Sequence, residues 1–102
     1  MEEQTFISSG KSLKDAQLGK LFGKPCFKIN GKAFTCFFEN EMVFKLDHTQ
    51  HSQAMQLKGA KLFDPSARNS PMKEWVQVPF IHAHQWPELA RLAYGYVKGL
   101  SS

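Results

Sequence analysis

Two thiols, Cys26 and Cys36, and four histidines, His48, His51, His82 and His84, are the residues of this 102-residue chain best suited to chemistry. A cysteine becomes a nucleophile when a histidine, a helix N-terminus or a cation lowers its thiol pKa. Lys24 and Lys28 flank Cys26, and in a strand Lys28 shares its face. The favoured reading is a partly exposed inert thiol for Cys26 and a small apolar filler for Cys36. Two cysteines outside CxxC spacing do not make a disulfide framework, so reduced thiols are expected. His48 and His51 stand three apart, and His82-Ala83-His84 can set both rings on one side of an extended segment. Zinc sites use three or four ligands held by further partners, and no CxxC or HExxH pattern occurs, so solvated loop histidines are the better reading. Asp64, Arg68, Lys73 and Glu74 surround the prolines of one loop and are read as structural. No Gly-rich phosphate loop or pair of catalytic carboxylates is visible. No catalytic residue, metal ligand or cofactor is therefore expected.

One pattern reaches toward binding. Lys28, Thr35, Phe37 and Lys45, joined by Lys73 and Trp75, alternate cations and rings in a way that suits phosphates and unpaired bases. They form the candidate binding face, expected on the outer side of a sheet. The competing reading is that a helix covers Phe37 and Trp75.

Composition bounds the rest. Apolar residues make up 42% and charged residues 22% of the chain, as in an ordinary globular domain. At this length one domain hides about 60% or more of its unfolded surface. No apolar run approaches the roughly 20 residues that span a bilayer, and Met1-Glu2-Glu3-Gln4 lacks the basic start of a signal peptide, so a cytoplasmic protein without a membrane partner is expected. The net charge of +4 is uneven: residues 11–32 carry Lys11, Lys14, Lys20, Lys24, Lys28 and Lys32 against Asp15 alone. Such a block attracts nucleic acid or an acidic partner, or is a solvated surface.

The elements that must position these groups follow from pattern. Residues 1–10, with Ser8-Ser9-Gly10, read as a flexible tail, leaving 11–102 as the domain. Ser12 is placed to cap a short helix whose inner face holds Leu13, Ala16 and Leu21, ended by Gly23 and Pro25. Asn30-Gly31 predicts a type I′ hairpin pairing Ile29 with Lys32 and Phe27 with Phe34. One face then carries Phe27, Ile29, Phe34, Cys36 and Phe38, and the other Cys26, Lys28, Ala33, Thr35 and Phe37, with the cysteines on opposite faces. A three-residue loop at Glu39-Asn40-Glu41 leads to a strand in which Met42, Phe44 and Leu46 alternate with Val43, Lys45 and Asp47. Asp47 or Thr49 caps a helix closed by Gly59. "AKLFD" and "EWVQVPF" read as strands separated by a turn-rich loop. Pro87 opens an amphipathic helix with Leu89, Leu92, Ala93, Tyr96, Val97 and Leu100 on one stripe. The fold expected is a two-layer α+β domain in the order α-β-β-β-α-β-β-α, its mainly antiparallel sheet packed against helices.

The segment "LFGKPCFKINGKAFTCFFENEMVFKLD" resembles the N-terminal domain of the TfoX (Sxy) family through Phe22-Gly23, Gly31, Phe34, Leu46, Lys45 and Asp47. Arg68, Met72, Trp75, Val78 and Pro79 resemble that family's later Arg, Met, aromatic, Val-Pro segment. YjbR-like proteins are similar in element order. The resemblance covers roughly residues 18–98 and rests on packing and turn residues. It implies the TfoX N-terminal-like fold, whose full-length regulators add a C-terminal helical domain.

The expectation is a non-enzymatic regulatory or protein-interaction module that uses a sheet face or edge strand for a protein partner or for self-association. The alternative is weak nucleic-acid binding through the basic and aromatic face.

Overall fold

The computed structural model describes residues 2–65 and 72–100. It is an α+β domain in which helices cover one face of a six-stranded antiparallel sheet. The chain order is α1 (Glu2–Lys11), β1 (Gln17–Leu21), β2 (Lys24–Ile29), β3 (Lys32–Phe38), β4 (Glu41–Lys45), α2 (His48–Met55), β5 (Lys61–Phe63), β6 (Met72–Val78), a 3₁₀ turn (Phe80–Gln85) and α3 (Trp86–Leu100). The expected order is present, with one further strand, β1, at the sheet edge. Across the sheet the strands run β1-β2-β3-β4-β6-β5.

The N-terminal third corrects two expectations. Residues 1–10 are expected as a flexible tail, but Glu2–Lys11 form helix α1, with Glu2 and Glu3 in the first turn and Lys11 in the last, each favoured by the helix dipole. Its inner face is Phe6, Ser9 and Gly10, a spacing of three and four. Ser9 is tolerated inside because its hydroxyl donates to the Thr5 carbonyl at 2.7 Å. Gly10 is needed for close approach: a Cβ there would stand 2.2 Å from the Phe27 ring. The segment expected as a helix from Ser12 to Leu21 is instead a loop and β1. Asp15 adopts φ 66°, which no helix accommodates, and Gly19 lies where a helix interior would lose about 1 kcal/mol relative to alanine.

Two-residue turns join β1 to β4. Phe22-Gly23 (φ 53° and 76°), Asn30-Gly31 (54° and 79°) and Glu39-Asn40 (53° and 62°) have both central residues at positive φ, the type I′ requirement. The Asn30-Gly31 hairpin pairs Ile29 with Lys32 as expected. The Glu39-Asn40 turn is shorter than the expected three-residue loop, so Phe38 faces Glu41, Phe37 faces Met42 and Cys36 faces Val43.

A bulge overturns the expected faces of β3. Lys28 pairs with Ala33 but Phe27 pairs with Thr35, leaving Phe34 without a partner across the ladder. Every residue beyond it changes side. Phe27, Ile29, Phe34, Phe37, Met42, Phe44, Val76 and Val78 meet Phe6 and the stripe of α3, which buries Trp86, Leu89, Ala90, Ala93 and Val97. Phe37 lies 5.4 Å from Phe6 between ring centroids, and Phe34 meets Tyr94 edge-on at 5.6 Å. Cys26, Cys36 and Val43 go to the opposite face, where a second cluster forms with Phe63 and Trp75. A second bulge, between Leu62 and Phe63, brings Phe63 against Phe38 and Trp75, at 5.3 and 6.0 Å.

Asp47 caps α2 as expected, accepting from the Gln50 amide at 2.9 Å. The helix ends sooner than expected, at Met55 with Gln56 as its C-cap, so Gly59 does not close it and takes φ 85° in the turn that follows. Arg68 and Asn69-Ser70 fall outside the described residues.

Phe6→Ala is expected to lower unfolding free energy by about 3–5 kcal/mol in urea melts, the range for emptying a phenylalanine site in a core. A loose tail would give less than about 0.5 kcal/mol. Gly10→Ala should cost about 1–3 kcal/mol through overpacking against Phe27.

Candidate functional site

The six residues of the expected binding face do not share a surface. Thr35 is fully buried and its hydroxyl donates to the Val43 carbonyl at 2.8 Å. Phe37 lies on the helix-covered face against Phe6. Trp75 is 5% exposed and belongs to the cluster on the other side of the sheet. Only Lys45, Lys73 and Trp75 come together, with Met72 and Glu74, around a shallow hollow of about 320 Å³. There Lys45 is already paired with Glu74 at 3.8 Å. Lys28 sits on β2, its aliphatic stem lying over Gly19 of β1. The bulge at Phe34 is the physical reason for the dispersal, because it moves Thr35 and Phe37 to the side opposite Lys28 and Trp75.

The histidines are also apart. The His82 ring donates from Nε2 to the Lys58 carbonyl at 2.9 Å and so joins the 3₁₀ turn to the turn that follows α2. His84 lines a hollow of about 380 Å³ between α2 and α3. His48 and His51 line a third, of about 440 Å³, with Glu74 and Tyr96. Among the described residues no group of three or more His, Cys, Asp or Glu side chains is arranged to hold a metal. The Tyr96 hydroxyl donates to Glu74 Oε1 at 3.3 Å, and desolvation, then the Glu74 charge, push its pKa up. A tyrosine so placed keeps its proton and is no base.

The cysteines, expected on opposite faces, are direct cross-strand partners on one face. Both are free thiols and both are fully buried. The reversal follows from the same bulge.

The feature with open recognition capacity is the sheet edge at β1. This strand pairs with β2 on one side, and among the described residues no strand pairs with its other side. Leu18 is 55% exposed, and Phe22 in the adjoining turn is 60% exposed. Hydrogen-bonding direction alternates along an antiparallel ladder. The two-residue turn makes Leu21 and Lys24 a bonded pair, so Gly19 and Gln17 also bond to β2, while Leu18 and Lys20 point their N–H and C=O groups outward. Pro25 fits this phase, since it faces Lys20 at a position where β2 donates nothing to β1. The edge is cationic, with Lys20 on the strand and Lys24 and Lys28 on its neighbour.

The pattern hides this edge because the segment from Ser12 to Leu21 reads as a helix with Leu13, Ala16 and Leu21 on its inner face. The available signal was the pair of short runs around Phe22-Gly23, which has the same spacing as the Asn30-Gly31 hairpin.

No family model matches the chain, and neither a curated protein nor a solved structure matches it. Among the described residues, no helix is long and apolar enough to cross a membrane.

The Tyr96 shift has a sign that can be checked. An acid whose folded pKa is raised contributes stability that is complete below its unfolded value, about 10 for tyrosine, and lost as pH rises through the folded value. Urea midpoints measured from about pH 9 upward should therefore fall less steeply for Tyr96→Phe than for the native protein. The two should run parallel below about pH 9.

Proposed function

We propose that this protein is a non-enzymatic interaction module that takes an extended, acidic segment of a partner protein as an added strand along β1. The single observation that carries the reading is the one-sided pairing of β1, with outward backbone groups at Leu18 and Lys20 beside exposed Leu18 and Phe22. Backbone bonds to an edge give affinity, and side chains at alternate positions give specificity. Here those side chains are an apolar pair and a lysine, which select a partner strand carrying apolar residues next to carboxylates.

Charge decides between a partner and a second copy. Two copies pairing through β1 would bring together two segments that each hold six lysines and one aspartate over residues 11–32. That arrangement is repulsive, whereas an acidic strand is attracted and steered to the edge. The lysine at position 20 is itself a common guard against indiscriminate strand pairing. The resemblance of residues 18–98 to the TfoX N-terminal domain supports a regulatory setting for such a module.

Lys20→Pro is the sharpest test. Proline removes the outward N–H at that position without touching a β1–β2 bond. Lys20→Ala serves as the control for lost charge. With a fluorescent peptide alternating Val and Glu, Lys20→Pro should bind about tenfold more weakly than Lys20→Ala by anisotropy, the effect of about 1.4 kcal/mol. Equal affinity of the two variants would refute strand addition at β1.

A further inference from the structure

The two cysteines face each other across β2 and β3, and ladder phase fixes what kind of pair they are. Cys26 bonds through its backbone to Gly19 of β1, so toward β3 it is a non-hydrogen-bonded position. Cys36 bonds likewise toward Val43 of β4, two pairs from the Glu39-Asn40 turn, and is non-hydrogen-bonded toward β2. Pro25 completes the local picture: without an N–H it cannot extend the β2–β3 ladder, and Cys26–Cys36 is the last pair. Residues paired in this way have Cα atoms about 4.5 Å apart, with side chains closer than at bonded pairs. Disulfides need about 4.4–6.8 Å. The pair thus lies within bonding range.

We infer that Cys26 and Cys36 form a reversible dithiol–disulfide site that takes a hydroperoxide as its oxidant. The Cys26 thiolate attacks the outer peroxide oxygen, the O–O bond breaks, and the alkoxide or hydroxide leaves with a proton as alcohol or water. Cys26 is then a sulfenic acid. The Cys36 sulfur attacks it, the S–O bond breaks, and the Cys36 proton leaves with the hydroxyl as water. Two thiols lose two protons and two electrons, and the peroxide takes up the same number of each.

The assignment of roles follows from surroundings. The Cys26 thiol is held low by its hydrogen bond with Cys36 and by the Lys28 charge, against the opposing effect of burial. Cys36 is pushed up by that same bond and by burial, so it stays protonated until Cys26 has reacted. Burial ordinarily makes a thiol inert. Here the neighbour on the Cys26 side is β1, an edge strand that presents a glycine, Gly19, opposite it. Local opening of an edge strand costs far less than global unfolding. The site is independent of any partner on β1, although a strand bound there would shield it.

The test is intact-mass analysis of the folded native protein in hydrogen peroxide. The expected product is a monomer lighter by two hydrogens, restored by dithiothreitol. Lys28 and Lys32 lie between the cysteines, so a protease cutting after lysine releases them on separate peptides unless they are bonded. Cys36→Ala should stop at a dimedone-trappable Cys26 sulfenic acid. Two results would overturn the inference: a bond formed only after unfolding in urea, or oxygens added to each sulfur with no linked peptide.

Discussion

Phe34 and Phe37 stand three residues apart in one strand, yet both reach the helices. A strand of strict period two cannot do this, since positions three apart face opposite ways. One unpaired residue, Phe34, resolves the conflict, and nearly everything else follows from where it sits. It gives α1 a ring to pack on, sends Tyr94 of α3 against Phe34, and drives Cys36 and Phe38 to the far side. The far side thereby acquires its own apolar cluster. Thr35, caught in the turnover, remains satisfied because its hydroxyl reaches the Val43 carbonyl. The bulge is thus the point at which helix packing overrides the register that the Asn30-Gly31 turn begins.

What could be read from residues alone divides along the same line. Turn chemistry at Asn30-Gly31, the Asp47 cap and the stripe of α3 are local signals, and each of these stands where its signal put it, whereas α2 stops at Met55, short of Gly59. The bulge has no local signal. It is decided by rings on α1 and α3, far away in sequence, that compete for the same sheet face. Helix α1 was hidden for a related reason: its buried face is one phenylalanine, a serine and a glycine, a composition that reads as a loop until Phe27 is known to press against it. The expected binding face failed with the register, because assigning a residue to a side of β3 assumes an unbroken pleat.

The two features carrying functional weight share one structural origin. Strand β1 is an edge because the meander begins with it, and Cys26 lies one strand in, opposite the glycine of that edge. Recognition of an extended segment and chemistry at the thiols would therefore meet at the same pair of strands. Pro25 marks the boundary on both sides: it faces a position of β1 that bonds outward, and it ends the ladder to β3 just past the cysteine pair.

The three two-residue turns between β1 and β4 have a kinetic consequence. Strands joined this way touch neighbours only a few residues distant along the chain, so their loop-closure entropy is small and they can assemble on the microsecond scale of single hairpins. Strand β6 is different: it inserts between β4 and β5 and must find β4 across α2 and β5. Helix α1 must likewise wait for α3, the last element of the chain, to make its packing partner. Folding should thus divide into an early local meander and a later, slower closure by β6 and α3, with the rate of the whole set by the contacts of high sequence separation.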